Sequence, residues 1–212
     1  MIKLVTFAAI ETLTTDANAQ GSSFQTIFDS CSRSMISDTL FLINIGVHTA
    51  SFARAGSLAI SRSLGNSFLE ISCDFEPNEK LKDLKDKNGI VYLAGDAAMP
   101  KYSGLSWLES LGYWKRPVGL MISCDDEGNI PGIATAYISL CKSKQVPLAG
   151  LIQLGGIWDP KARRLDCLPW CGQIPDELLV ENLSPNSISL DKILILEELI
   201  LNIKKEINKV RL

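Results

Sequence analysis

Residues 90–175 constrain the fold more than any other stretch. Within them the runs IVYLA, VGLMIS and LAGLIQL end in polar or glycine turns and feed helical patterns of about a dozen residues. A strand that is apolar along its whole length must be covered on both faces, and a parallel sheet with crossover helices does this. The chain is therefore expected to be α/β, a doubly wound, mainly parallel sheet with helices on both faces. Its core strands are placed at Thr39–Ile45, Phe68–Cys73, Ile90–Ala94, Val118–Ser123 and Leu148–Leu154, with a last strand inside Leu165–Ile174. In such sheets ligands bind at the carboxyl ends of the strands.

At 212 residues and 46% hydrophobic content, the chain suits one α/β domain over 1–212 with a single large core. The net charge of -3 gives no basic excess, so neither nucleic acid nor an anionic membrane is expected as a partner. No apolar run approaches the roughly 18 residues of a spanning helix, and the amino terminus lacks a basic region followed by an apolar segment and cleavage site. A cytoplasmic protein is the expectation. Six cysteines lack paired CxxC spacing, and Cys167 and Cys171 have one histidine in the whole chain to join them, so buried free thiols are expected rather than a zinc site.

Taken in order, IKLVTFAAI (2–10) reads as a strand, followed by a polar loop and a helix capped by Ser22 or Ser23 and running to about Met35. Thr39–Ile45 then leads through Gly46-Val47-His48-Thr49-Ala50 into a helix over Ser51–Leu64. A phosphate-binding GxxxxGK[ST] loop belongs at such a strand-to-helix turn, because its glycines free backbone amides to cradle phosphates and its lysine neutralises them. Only Gly46 remains of it. Ser51 stands at the second glycine, Phe52 at the lysine and Ala53 at the magnesium-holding hydroxyl; LVTFAAIETLTT, the other strand end on which the motif can be laid, lacks glycine and lysine too. His48 is either a ligand contact or a hydrogen-bonded structural residue. Arg54 and Arg62 read as a solvated helix face, with Arg54 near enough to the loop to meet an anion.

The segments PVGLMIS, GNIPGIATA, QVPLAGLIQ and LPWCGQIP, in that order, resemble the C-terminal half of dethiobiotin synthetase, an enzyme of the P-loop NTPase fold. This resemblance implies ATP and Mg2+ as cofactors, carboxylation and ring closure of a diamine, and a homodimer. It makes Gly46, His48, Gln153 and Gly155 the candidates for contacting nucleotide; Gln153 neighbours Leu154, which stands where the family has an adenine-reading asparagine. The Gly95-Asp96-Ala97-Ala98 turn is similar to the family's glutamate-bearing turn, with Ala94 at the glutamate position. Asp96 either replaces that carboxylate as a metal ligand or hydrogen-bonds its own turn. Gly128, Asn129 and Ile130 match a turn that, in the family, binds substrate at the dimer interface; Pro131 takes the place of its asparagine and is expected to open the next helix. The acids Asp125, Asp126 and Glu127 either hold a cation or amine, or are simply solvated. No catalytic residue is assigned.

Two functions follow as expectations. One is a dethiobiotin-synthetase-like enzyme, impaired because its phosphate-binding loop is missing. The other is a non-catalytic dimeric protein on the same fold that binds a small molecule or regulates a partner. An unrelated Rossmann-like enzyme ranks lower, since no GxGxxG follows a strand and no GxSxG occurs. Residues 189–211 carry Ile193, Leu196, Ile200, Ile203, Ile207 and Val210 at helical spacing, with Leu190, Leu194 and Leu201 expected to widen the same face enough to meet a second subunit.

Overall fold

The computed structural model describes residues 39–46, 50–180 and 189–210. The strand and helix expected before residue 39, and His48, lie outside the described residues.

Among the described residues six strands form one sheet, all of whose neighbours run parallel: β1 (Thr39–Asn44), β2 (Phe68–Ser72), β3 (Gly89–Ala94), β4 (Val118–Ile122), β5 (Leu148–Leu154) and β6 (Trp170–Ile174), in the order β2-β3-β1-β4-β5-β6. Helices α1 (Ala50–Leu64), α2 (Pro77–Asp83), α3 (Trp107–Tyr113), α4 (Ile133–Ser143) and α5 (Pro160–Leu165) make the crossovers, and α6 (Leu190–Val210) follows the last strand.

Alternation along the strands divides the apolar residues between the two faces. Leu40 and Leu42 of β1 join Ile90 and Tyr92 of β3 under α1 and α6, whereas Phe41 and Ile43 join Val91 and Leu93 under α2, α3 and α4. Both sides of the central strands are thus fully buried, which explains their unbroken apolar sequence.

Helix α3 starts at Trp107 after a Ser106 cap and leaves Leu105 39% exposed. The structure corrects two details. The helix expected to open at Pro131 begins at Ile133, with Pro131 presenting its carbonyl to the Ala134 amide. In α6, Leu196, Leu199, Ile200, Ile203 and Ile207 are buried, while Leu190, Leu194 and Leu201 are exposed. At 100° per residue those three leucines fall opposite the buried stripe and do not widen it. No helix among the described residues is long and apolar enough to cross a membrane.

The topology also positions a crevice. The helix that follows β1 lies on one face, and the helices that follow its two neighbours, β3 and β4, lie on the other. Connections diverge there, and their divergence opens space above the carboxyl end of β1.

Candidate functional site

An open cleft of about 370 Å³ occupies that place. Asn44, Ile45 and Gly46 from the end of β1, Tyr92, Gly95 and Asp96 from the end of β3, Ala50 from α1, and Ile133 and Tyr137 from α4 line it. Among the described residues lining it, Asp96 carries the only formal charge.

Of the two roles weighed for Asp96, the hydrogen bonds show the second, closure of its own turn. Its Oδ1 accepts the Ala98 amide at 2.9 Å, closing its own turn, and the Tyr137 hydroxyl at 2.8 Å from across the cleft. Burial, followed by the Asp96 carboxylate, pushes the Tyr137 phenol well above its usual range. The Tyr92 phenol is raised too, by burial first and Glu70 second, and its hydroxyl donates to the Ala50 carbonyl at 3.4 Å. Both phenols therefore stay protonated at neutral pH. The cleft offers one carboxylate, two hydroxyls and the Asn44 amide over an apolar floor.

Gly46 sits where a phosphate loop would begin, but its amide already has a partner: it donates to Asn44 Oδ1 at 3.2 Å. The residues at the diagnostic positions do not fit a magnesium-bound polyphosphate. Ala53 is fully buried in the core, and Phe52, 43% exposed, is not among the residues lining the cleft. Arg54 donates through Nε to Glu70 at 2.7 Å, beside β2. No group of three His, Cys, Asp or Glu among the described residues is arranged to hold a metal ion. A single exposed carboxylate, already accepting two hydrogen bonds, is a poor cage for magnesium, which demands near-octahedral oxygen ligands.

The remaining sequence candidates gather elsewhere, around Arg163. Gln153 is fully buried. Its Nε2 donates to the carbonyls of Gly155 and Ile157 at 2.8 and 3.0 Å, and its Oε1 accepts from Arg163 Nε at 3.0 Å. An amide so engaged has nothing left to read a purine. Gly155 has φ +59°, and an added Cβ would overlap Asp176 Oδ1; the Asp176 carboxylate accepts the next amide, that of Gly156, at 3.1 Å. The space beside Gly155 is thus filled from within the chain.

Gly128, Asn129 and Ile130 form a closed turn. Asp125 accepts the Asn129 amide at 2.7 Å and the Glu127 amide at 3.0 Å, and the first of these bonds holds its carboxyl below the usual range. Asn129 Nδ2 donates to Asp125 and Glu127, so these two acids serve their own turn. The Gly128 carbonyl accepts from Arg163 at 2.6 Å, and Ile130 packs against the core.

Arg163 lies in the charged run DPKARR, whose sequence says no more than loop or short helix. It is 7% exposed, bonded to Gln153 and Gly128, 3.7 Å from Asp166, and stacked 5.1 Å from the ring of Trp170. Nothing in PKARRL distinguishes it from Arg164. Tyr137 and Asn44 were missed as well, although a polar residue ending the apolar run TLFLI was a signal for Asn44.

Of the described thiols Cys73, Cys141 and Cys171 are buried, as expected, whereas Cys167 is exposed and Cys124 half-buried. Burial pushes Cys73 and Cys171 up to about 12 and Cys141 to about 11, which leaves them protonated and unreactive at neutral pH.

No family model matches the chain, and no curated protein matches it.

Proposed function

We propose that this protein is a dethiobiotin-synthetase-like homodimer that has lost ATP-dependent carboxylation and keeps the crevice at the end of β1 as a small-molecule pocket. Support for the scaffold comes from the parallel sheet with β1 at its centre and from the order of the four resembling segments. The observation that carries the loss of activity is the charge of the cleft. A polyphosphate needs cations and free amides, whereas Asp96 is the only charged residue among the described lining residues and the Gly46 amide is bonded to Asn44. The same lining suits a polar ligand that is neutral or bears an amine, which Asp96 would accept with Tyr137 beside it.

Phosphoryl transfer rests almost wholly on positioning and charge stabilisation. Each lost contact of this kind costs roughly 3–4 kcal/mol of transition-state stabilisation, so losing the lysine and the metal-holding hydroxyl lowers the rate by about five powers of ten. Phosphate release should therefore stay at background when ATP, magnesium, bicarbonate and a diamino acid are supplied together. Turnover well above background that Asp96→Ala abolishes would refute the proposal.

A further inference from the structure

The exposed side of α6 carries a pattern that nothing within the described chain uses. Leu190, Leu194 and Leu201 lie in line along it, 57%, 54% and 65% exposed, with Asn208 continuing the row. Two charged pairs flank the row: Glu197 and Glu198 before Leu201, Lys204 and Lys205 after it. Intrahelical ion pairs need spacings of three or four. Here each glutamate is seven residues from the lysine on its own flank, about 10 Å along the axis, too far to pair. None of the four makes an ion pair with another described residue, in contrast to Lys209, which holds Glu206 at 2.6 Å, and Lys192, which holds Glu177 at 3.1 Å.

We infer that this face binds the α6 helix of a second copy, antiparallel, about a two-fold axis at Leu201. This rests on the dimeric reading above and places its surface on α6 in place of the 128–130 turn, whose polar groups are bonded within the chain. In an antiparallel helix pair, flanking positions on one side meet those on the same side of the partner. Centring the pair on Leu201 sets Glu197 against Lys204 of the second copy on one flank and Glu198 against Lys205 of the second copy on the other, each twice by symmetry. Leu201 then packs on its own equivalent. The competing register, which would face Leu194 with Leu201, crowds four glutamates at its centre. Parallel packing sets each charge on its like. Of the three arrangements only the first satisfies every charge, so charge complementarity selects a second copy as the occupant.

The test exchanges charge. Glu197→Lys with Glu198→Lys makes the flanks all basic, and Lys204→Glu with Lys205→Glu makes them all acidic. Light scattering at micromolar concentration and low salt should give twice 23.2 kDa for the unaltered protein and 23.2 kDa for each double variant alone. An equimolar mixture of the two variants should recover the doubled mass, as should the chain carrying all four substitutions. Leu201→Glu should weaken association by more than about tenfold, since it places two carboxylates on the axis. Glu198, Leu201 and Lys205 are exposed and Glu197 and Lys204 half-buried, so none belongs to the core, and circular dichroism on each variant checks that the helix is kept. A single-chain mass for the unaltered protein overturns the dimeric reading and this inference together. A doubled mass unmoved by any of the variants leaves the dimeric reading standing and overturns the α6 surface.

Discussion

Arg163 shows how far one side chain departs from what its sequence neighbours suggest. A guanidinium is normally solvated, but here it is enclosed by Trp158 and Trp170 and supplies the only partner shown for Gln153 Oε1. Replacing it with methionine keeps the bulk and leaves that oxygen and the Gly128 carbonyl without their donor. The expected loss is roughly 3 kcal/mol of stability, read as a lower urea midpoint with an unchanged slope. Arg163→Lys should recover only part of this, since one ammonium cannot reproduce the fork that reaches both acceptors. These bonds were not legible in the sequence because they join residues 10 and 35 positions apart, and no local pattern records such a pairing. Gln153 was singled out on the right strand, yet its direction into the interior depended on those distant partners.

At the scale of single elements, legibility followed periodicity. The buried strands were readable because continuous apolar runs have no other stable place, and β1 and β4 end within a residue of the expected limits. The faces of α6 were misread because leucines at 190, 194 and 201 share helical spacing with one another as well as with the buried set; spacing alone does not say which of two stripes meets the sheet. Helix α3 is governed by its cap. Ser106 accepts the Glu109 amide at 3.2 Å, Glu109 accepts the Ser106 amide at 2.9 Å, and Lys144 reaches Glu109 at 2.6 Å. The Lys144 bond, followed by those from Ser106, holds the Glu109 carboxyl at about 2 against an ordinary 4.5. A carboxyl depressed on folding contributes stability above its unfolded value and loses it as pH falls towards the folded one. Stability should accordingly decline between about pH 4.5 and 2, and Glu109→Gln, weaker at neutral pH, should flatten this part of the profile in urea titrations. Ser106→Ala should cost about 1 kcal/mol. Gly112 in the same helix lies so close to the Lys144 carbonyl that an added Cβ would overlap it, so Gly112→Ala should destabilise the protein despite its better helix propensity.

For the whole molecule, strand order decides where chemistry can happen, and the residues placed there decide what kind. With β1 central and its connection on the opposite face from those of β3 and β4, the crevice forms whatever sequence the loop carries. The place of the cleft was thus readable from strand pattern, and Gly46 and Asp96 are among the residues that line it. Its tyrosines were not, since Tyr92 and Tyr137 sit within apolar patterns and meet the cleft only through folding. The central question is whether a crevice at the carboxyl end of β1, whose described lining residues carry no cation, holds nucleotide. Calorimetric titration of the intact protein with ATP and magnesium tests this most directly. No saturable heat is expected up to millimolar nucleotide, with Asp96→Asn, which removes the negative charge of the described lining, binding no worse than the unaltered chain. Saturable micromolar binding that is lost in Asp96→Asn would contradict this.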